Sequence, residues 1–254
     1  MHVRYINSHF LDYETKYQTI SKKEIEKYFD CKKENTTFSI MYPGGRNQIG
    51  IQIPFVLNES VASLAGLMPD GSLIKDLRRI YFHQKKDFAK ITLFNDLILN
   101  LFHPPNKIFT RLDRGTHVIY VNSTTLASFF YHLLKIPKSD EQMRVPPWVF
   151  NSPLSVKIAY LREAFAMEGT ILKSLYEIRF ITKDEFFAND IQKLLAQVKI
   201  ISLVRERIGG THRTLQYRVS IYGKENLLKF NSIGFSLAFH KERYNALLKK
   251  YRKK

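Results

Sequence analysis

Apolar residues recur at helical spacing in two stretches of the chain that stop in the same way. Leu64-Ala65-Gly66-Leu67-Met68-Pro69 runs into Asp70-Gly71, and the stretch from Leu161 to Met167 runs into Glu168-Gly169. Each apolar run ends on a carboxylate and a glycine, as a helix does where the chain must turn away. The residues beyond also repeat. A shift of 98 positions puts Gly71 on Gly169, Lys75 on Lys173, Leu77 on Leu175, Ile80 on Ile178, Phe82 on Phe180 and Lys85 on Lys183. These identities at constant offset predict an internal duplication in which each half contributes one acid.

The pattern after each stop predicts the same series of elements. In the first half, Asn58 caps a helix over Glu59–Met68, followed by strands Ser72–Leu77 and Arg79–Gln84 and a helix over Asp87–Phe102 that Pro104-Pro105 ends. Strands Lys107–Leu112 and His117–Asn122 turn at Asp113-Arg114-Gly115, and a helix spans Thr124–Leu134. In the second half, Ser155 caps a helix to Met167. Strands Thr170–Leu175 and Glu177–Thr182, helix Asp184–Gln197, strands Lys199–Ile208 and Arg213–Tyr222, and a helix from Gly223 follow. The expected fold is α+β: two pseudo-symmetric αββαββα domains, each with a four-stranded antiparallel sheet. The division is an extension (1–57), a first domain (58–136), a linker (137–154) around Pro146-Pro147-Trp148, a second domain (155–235) and a basic helical tail (236–254). Ser21-Lys22-Lys23-Glu24 has capping-box spacing for a helix to about Phe29. Strands are expected at Thr37–Met41 and Ile49–Ile53, around a Pro43-Gly44-Gly45 turn. The extension reads either as an accessory DNA-contacting unit or as packing.

Charge narrows the function. Forty Lys and Arg against 23 Asp and Glu leave +17. A fold gains nothing from such self-repulsion, so a polyanionic partner is the expected reason. No stretch approaches the roughly 18 uninterrupted apolar residues of a membrane span, and Met1–Phe10 has no secretory pattern. Lone Cys31 fits a reducing interior and rules out internal disulfides. The eight histidines show no metal-ligand spacing, and the glycine pairs are simple turns rather than phosphate cradles.

The two motif helices, the strand–strand–helix–strand–strand order after each, and the Pro-Pro-Trp linker resemble the LAGLIDADG homing endonucleases in their single-chain, two-domain form, over about residues 52–235. The resemblance implies that the motif helices pack at the domain interface and that the sheets form a DNA-binding saddle. It implies a site-specific double-strand DNA endonuclease, monomeric, with a long asymmetric target, from a mobile intron or intein. The location is then intracellular: a prokaryotic, archaeal cytoplasm or an organelle. The alternative on the same fold is a non-cleaving binder, such as an intron-RNA maturase or a DNA-binding regulator. Three departures from the family pattern stand out. The first motif has eight residues where the family name has nine, Arg162 and Glu163 occupy positions usually small, and Pro69 precedes the first acid. Ala62, Gly66, Ala159 and Ala164 still permit two helices to approach closely.

Phosphodiester hydrolysis needs an activated water and charge neutralisation around phosphorus. Asp70 and Glu168 supply hard oxygen ligands suited to Mg²⁺, with Mn²⁺ substituting, and the backbone carbonyls of Pro69 and Met167 are further donors. The resemblance makes Gln84 a water-orienting residue, with a DNA contact or a solvated strand end as the other reading. It makes Lys224 a lysine assisting catalysis, or else a cap for the next helix. Expected DNA contacts, to bases or phosphates and with a solvated strand face as the other reading for each, are Lys75, Arg79, Tyr81, His83, Lys107, Phe109 and Arg111 in the first half. In the second half they are Lys173, Arg179, Arg205, Arg207, Arg213, Gln216 and Arg218. The tail from Lys241 either touches DNA or aids solubility.

Overall fold

A computed structural model describes residues 16–34, 37–43, 50–54, 56–85, 88–104, 107–209 and 214–252. Before the first motif come β1 (Gln18–Thr19), α1 (Lys22–Ile25), β2 (Asp30–Glu34), β3 (Thr37–Met41), β4 (Ile51–Pro54) and β5 (Val56–Leu57). The first half follows as α2 (Glu59–Leu67), a 3-10 turn (Met68–Asp70), β6 (Gly71–Leu73), β7 (Arg79–Gln84), α3 (Phe88–Phe102), β8 (Ile108–Asp113), β9 (Thr116–Asn122) and α4 (Thr124–His132). After a short α5 (Pro147–Phe150), the second half is α6 (Leu154–Glu168), β10 (Gly169–Leu172), β11 (Glu177–Thr182), α7 (Glu185–Gln197), β12 (Leu203–Gly209), β13 (Thr214–Tyr222) and α8 (Lys224–Lys229). A closing 3-10 turn (Phe230–Ser232) leads to α9 (Ala238–Arg252).

The α+β architecture is the expected one. Both halves carry a four-stranded antiparallel sheet with the same strand order, β6-β7-β9-β8 and β10-β11-β13-β12. The duplication extends to register: Gly71 pairs with Phe82 and Gly169 with Phe180. In each sheet, alternate residues such as Ile80, Phe82, Ile178 and Phe180 are buried beneath helices, and the residues between them face outward. Helices α2 and α6 pack against each other along the seam between halves. Gly66 makes this possible, because a Cβ there would lie 2.4 Å from the Tyr160 carbonyl oxygen.

Several boundaries differ from the sequence pattern. The expected strands to Leu77 and Leu175 stop at Leu73 and Leu172, because Leu77 (φ 54) and Tyr176 (φ 48) reverse the chain in left-handed turns. The strand expected from Lys199 starts at Leu203. Lys199 is left-handed (φ 62), and side chains take the intervening backbone groups: Ile201 N–H donates to Asn226 and the Ser202 carbonyl accepts from Gln192. Ser155 does not cap α6, whose cap position is Pro153; its hydroxyl instead donates to Glu59 of α2, 2.5 Å across the seam. The first helix keeps its Ser21–Glu24 capping box but ends at Ile25, because β2 follows. The expected Gly44-Gly45 turn lies outside the described residues.

The extension packs as well as precedes. Phe38, Ile40, Ile51 and Ile53 of the β2-β3-β4 sheet join the common core, Tyr28 stacks on His132, and Tyr42 N–H donates to Thr125. Helix α9 is likewise anchored: Tyr244 and Leu247 are buried, and the Tyr244 hydroxyl donates to the Leu227 carbonyl. The segment before α6 is strapped down by Arg144, which grips Asp190 of α7 through two hydrogen bonds, and by Trp148, whose indole N–H donates to the Leu134 carbonyl. Among the described residues, no helix is long and apolar enough to cross a membrane.

Candidate active site and nucleic-acid interface

Asp70 and Glu168 stand at the same end of the paired helices, one from each half. Asn58 starts α2 by accepting from the N–H groups of Ser60 and Val61. The eight-residue first motif is accommodated by tighter winding, as its last residues, Met68-Pro69-Asp70, form a 3-10 turn. Pro69 sits at the start of that turn, where a missing N–H costs nothing. In the second half α6 runs straight through to Glu168. Gly169 then turns so sharply that a Cβ would lie 2.1 Å from the Phe165 carbonyl oxygen. The helix can end there only on glycine.

Both carboxyls are half-buried and both are held above the usual carboxylate range. Burial raises Asp70, and a hydrogen bond from Gln84 partly offsets it. Glu168 is pushed up to about 7, first by burial and then by the negative charge of Asp70, with Lys183 pulling the other way. The two acids are thus near enough to repel. Gln84, the last residue of β7, spans the seam. Its amide nitrogen lies 2.5 Å from the Asp70 carboxylate and 3.4 Å from the Met167 sulfur of the other half. The matching Thr182 is occupied elsewhere, accepting from Asp184 N–H ahead of α7. Lys224 is not brought to this place. It opens α8 beyond Tyr222, which pairs with Glu177 at the opposite end of the second sheet from Gly169. Lys183, noted in the sequence only as a repeat match, is the lysine whose charge reaches Glu168. Among the described residues no cluster of three or more His, Cys, Asp and Glu forms.

The two unusual residues of the second motif have partners that no local pattern reveals. Glu163 is buried in the seam and pairs with Lys90 of α3, and Ser236 hydrogen-bonds to both. Arg162 donates through Nε to the Ile233 carbonyl, 2.7 Å away. Glu163 therefore ties the halves together where a small residue would merely let them touch.

The strand candidates divide by position. Arg79, Tyr81 and His83 of β7 alternate with buried residues and share the outer face of the first sheet with Arg111 of β8. Burial and the Arg111 charge hold His83 below the usual histidine range. Lys107 is exposed just before β8. Lys75 and Lys173 lie in the turns after β6 and β10 rather than on strands, and Lys75 pairs with Asp140 at the surface. In the second sheet, Arg179, Arg205, Arg207, Gln216 and Arg218 all fall on the outer face. Arg205 lies directly opposite Arg218 and Arg207 opposite Gln216, while Arg179 is paired with Glu177. Like charges facing each other across a ladder destabilise it. The Nε atoms of Arg205 and Arg218 are enclosed and have no hydrogen-bond partner among the described residues. Arg213 lies outside the described residues.

Comparison with known proteins agrees with this geometry. A family model described as a LAGLIDADG-like domain matches residues 155–233. The replication factor C small subunit of Methanocaldococcus jannaschii is 30% identical over 189 residues, a match covering 70% of this chain and 10% of that relative. The chain thus spans only a small part of that much longer protein. Homing endonuclease I-ApeI of Aeropyrum pernix is 23% identical over 154 residues, covering 58% of this chain and 64% of the enzyme. Among solved structures, I-DmoI in complex with DNA and Mn superposes with a TM-score of 0.50 at 18% identity, covering 69% of this chain and 97% of I-DmoI. That likeness concerns the fold. The second half is thus a LAGLIDADG-like domain by its match, and the first half repeats its motif, sheet order and register.

Proposed function

We propose that this protein is a site-specific endonuclease of duplex DNA that hydrolyses phosphodiesters with a divalent metal held at the seam. The observation that carries the reading is the meeting of Asp70 and Glu168. Two half-buried carboxyls that repel each other are costly to ionise without a cation between them. The donors, these two acids and the carbonyls of Pro69 and Met167, are hard oxygens suited to Mg²⁺, with Mn²⁺ as a substitute. Bound there, a metal would lower the pKa of a water and neutralise charge on the scissile phosphate. Gln84, whose amide nitrogen lies between Asp70 and the Met167 sulfur, would orient the attacking water in its half of the seam. The outer faces of the sheets grip the duplex, through phosphates for affinity and base edges for sequence.

Both acids lie on one polypeptide, which supports action as a monomer, and the unlike halves support a long asymmetric target. An origin in a mobile intron or intein accords with a module shared with a small part of a much longer protein. The test is selection of cleaved sites from a random duplex library with Mg²⁺ present. Asp70→Asn and Glu168→Gln are each expected to abolish scission while leaving DNA affinity intact. Undiminished cutting by either variant refutes the assignment. Sequence-specific binding without scission by the parent protein marks a DNA-binding regulator, and selective binding of a structured intron RNA marks a maturase.

A further inference from the structure

The two sheets present different chemistry to a partner lying across them. On the first, the outer face is a continuous cluster of rings. Phe109 stacks on Tyr120 at 5.1 Å and 11°, Tyr120 meets Tyr81 at 5.8 Å, and Tyr81 meets His83 at 5.6 Å. Arg79 is already committed within this cluster. Its Nε donates to Asn122, one terminal nitrogen donates to the Tyr81 hydroxyl, and its guanidinium lies 4.9 Å from the Tyr120 ring centre. Arg111 pairs with Asp113. The second sheet has no ring at the corresponding outer positions. It carries Arg205, Arg207 and Arg218, none in an ion pair among the described residues, with Gln216 beside them.

Guanidinium groups with free donors recognise guanine through O6 and N7, and glutamine recognises adenine, whereas aromatic and apolar side chains favour the thymine methyl group. We propose that the DNA target is lopsided in composition. The half-site under the second sheet is anchored by guanines read by Arg205, Arg207 and Arg218, with adenine at Gln216. The half-site under the first sheet is thymine-rich and read by Phe109, Tyr120 and Tyr81. The inference rests on the duplex-DNA partner of the proposed function, and needs no scission.

The experiment is a binding selection from a randomised duplex library in chelator, with the parent protein and with Arg205→Ala, Arg218→Ala and Phe109→Ala. The parent should enrich sites with guanine clustered in one half and thymine in the other. Each arginine variant should lose the guanine preference at one position of the guanine half only, relaxing discrimination there by roughly five- to hundredfold. Phe109→Ala should relax the thymine half alone. The arginine variants remain folded on the expectation that removing one member of a facing like-charge pair relieves repulsion. Enriched sites with similar composition in both halves overturn the inference. So does uniform weakening by the arginine variants with unchanged preferences, which is the signature of phosphate contacts. Failure of the parent to enrich any duplex refutes the proposed function instead, so the two failures are distinguishable.

Discussion

The cost of the acid pair to the protein without metal can be measured by replacing Glu168 with glutamine. In the folded chain the Glu168 carboxyl is raised from 4.5 to about 7, so the native state holds its proton more tightly than the unfolded state does. Stability is therefore lost as pH rises from the unfolded value through the folded one, and the loss is complete above both. At pH 8 the penalty implied by that rise is about 3 kcal/mol. Glutamine keeps the shape and carries no charge. In chelator at pH 8, Glu168→Gln should be more stable than the parent by about 3 kcal/mol, a rise of roughly 6–12 °C in melting temperature for a chain of this size. At pH 5 the gain should shrink to less than about 1 kcal/mol, because the parent carboxyl is then largely protonated in the fold. Urea or thermal unfolding at the two pH values is the assay. Adding Mg²⁺ should stabilise the parent and not the variant. A gain equal at both pH values, or no gain at pH 8, would refute the claim that ionising this carboxyl strains the seam.

Three further expectations concern the seam and the interface. Gly66→Ala should destabilise by about 1–3 kcal/mol in urea unfolding, since the added methyl meets the Tyr160 carbonyl and must push the helices apart. Lys90→Met alone should cost about 3–5 kcal/mol by leaving Glu163 charged and buried, whereas the Lys90→Met/Glu163→Met double variant should unfold near the parent midpoint. Affinity for duplex DNA should fall steeply and linearly in log–log form with salt, through counterion release, and a flat titration would remove the basic outer faces from the interface.

The duplication, the two acids, the order of elements and the alternation that sends arginines to one face of a strand were all legible in the sequence. They depend on periodicity and constant offset, which are local properties of the chain. The strand over Arg79–Gln84 and that over Glu177–Thr182 matched the structure residue for residue for the same reason. Tertiary structure decided what distant residues do to one another. Gln84 became a bridge only because β7 ends where Met167 of the other half arrives, 83 residues along the chain. Glu163 looked like a flaw in a helix interface until α3 brought Lys90 against it, 73 residues away. Lys224 followed the right strand and still fell at the wrong end of the sheet, since register and not sequence order sets its distance from Glu168. Strand ends at Leu73 and Leu172 were hidden because Leu77 and Tyr176 adopt a left-handed backbone that their side chains do not advertise. Residue type sets which face of an element is buried; only packing sets which faces meet.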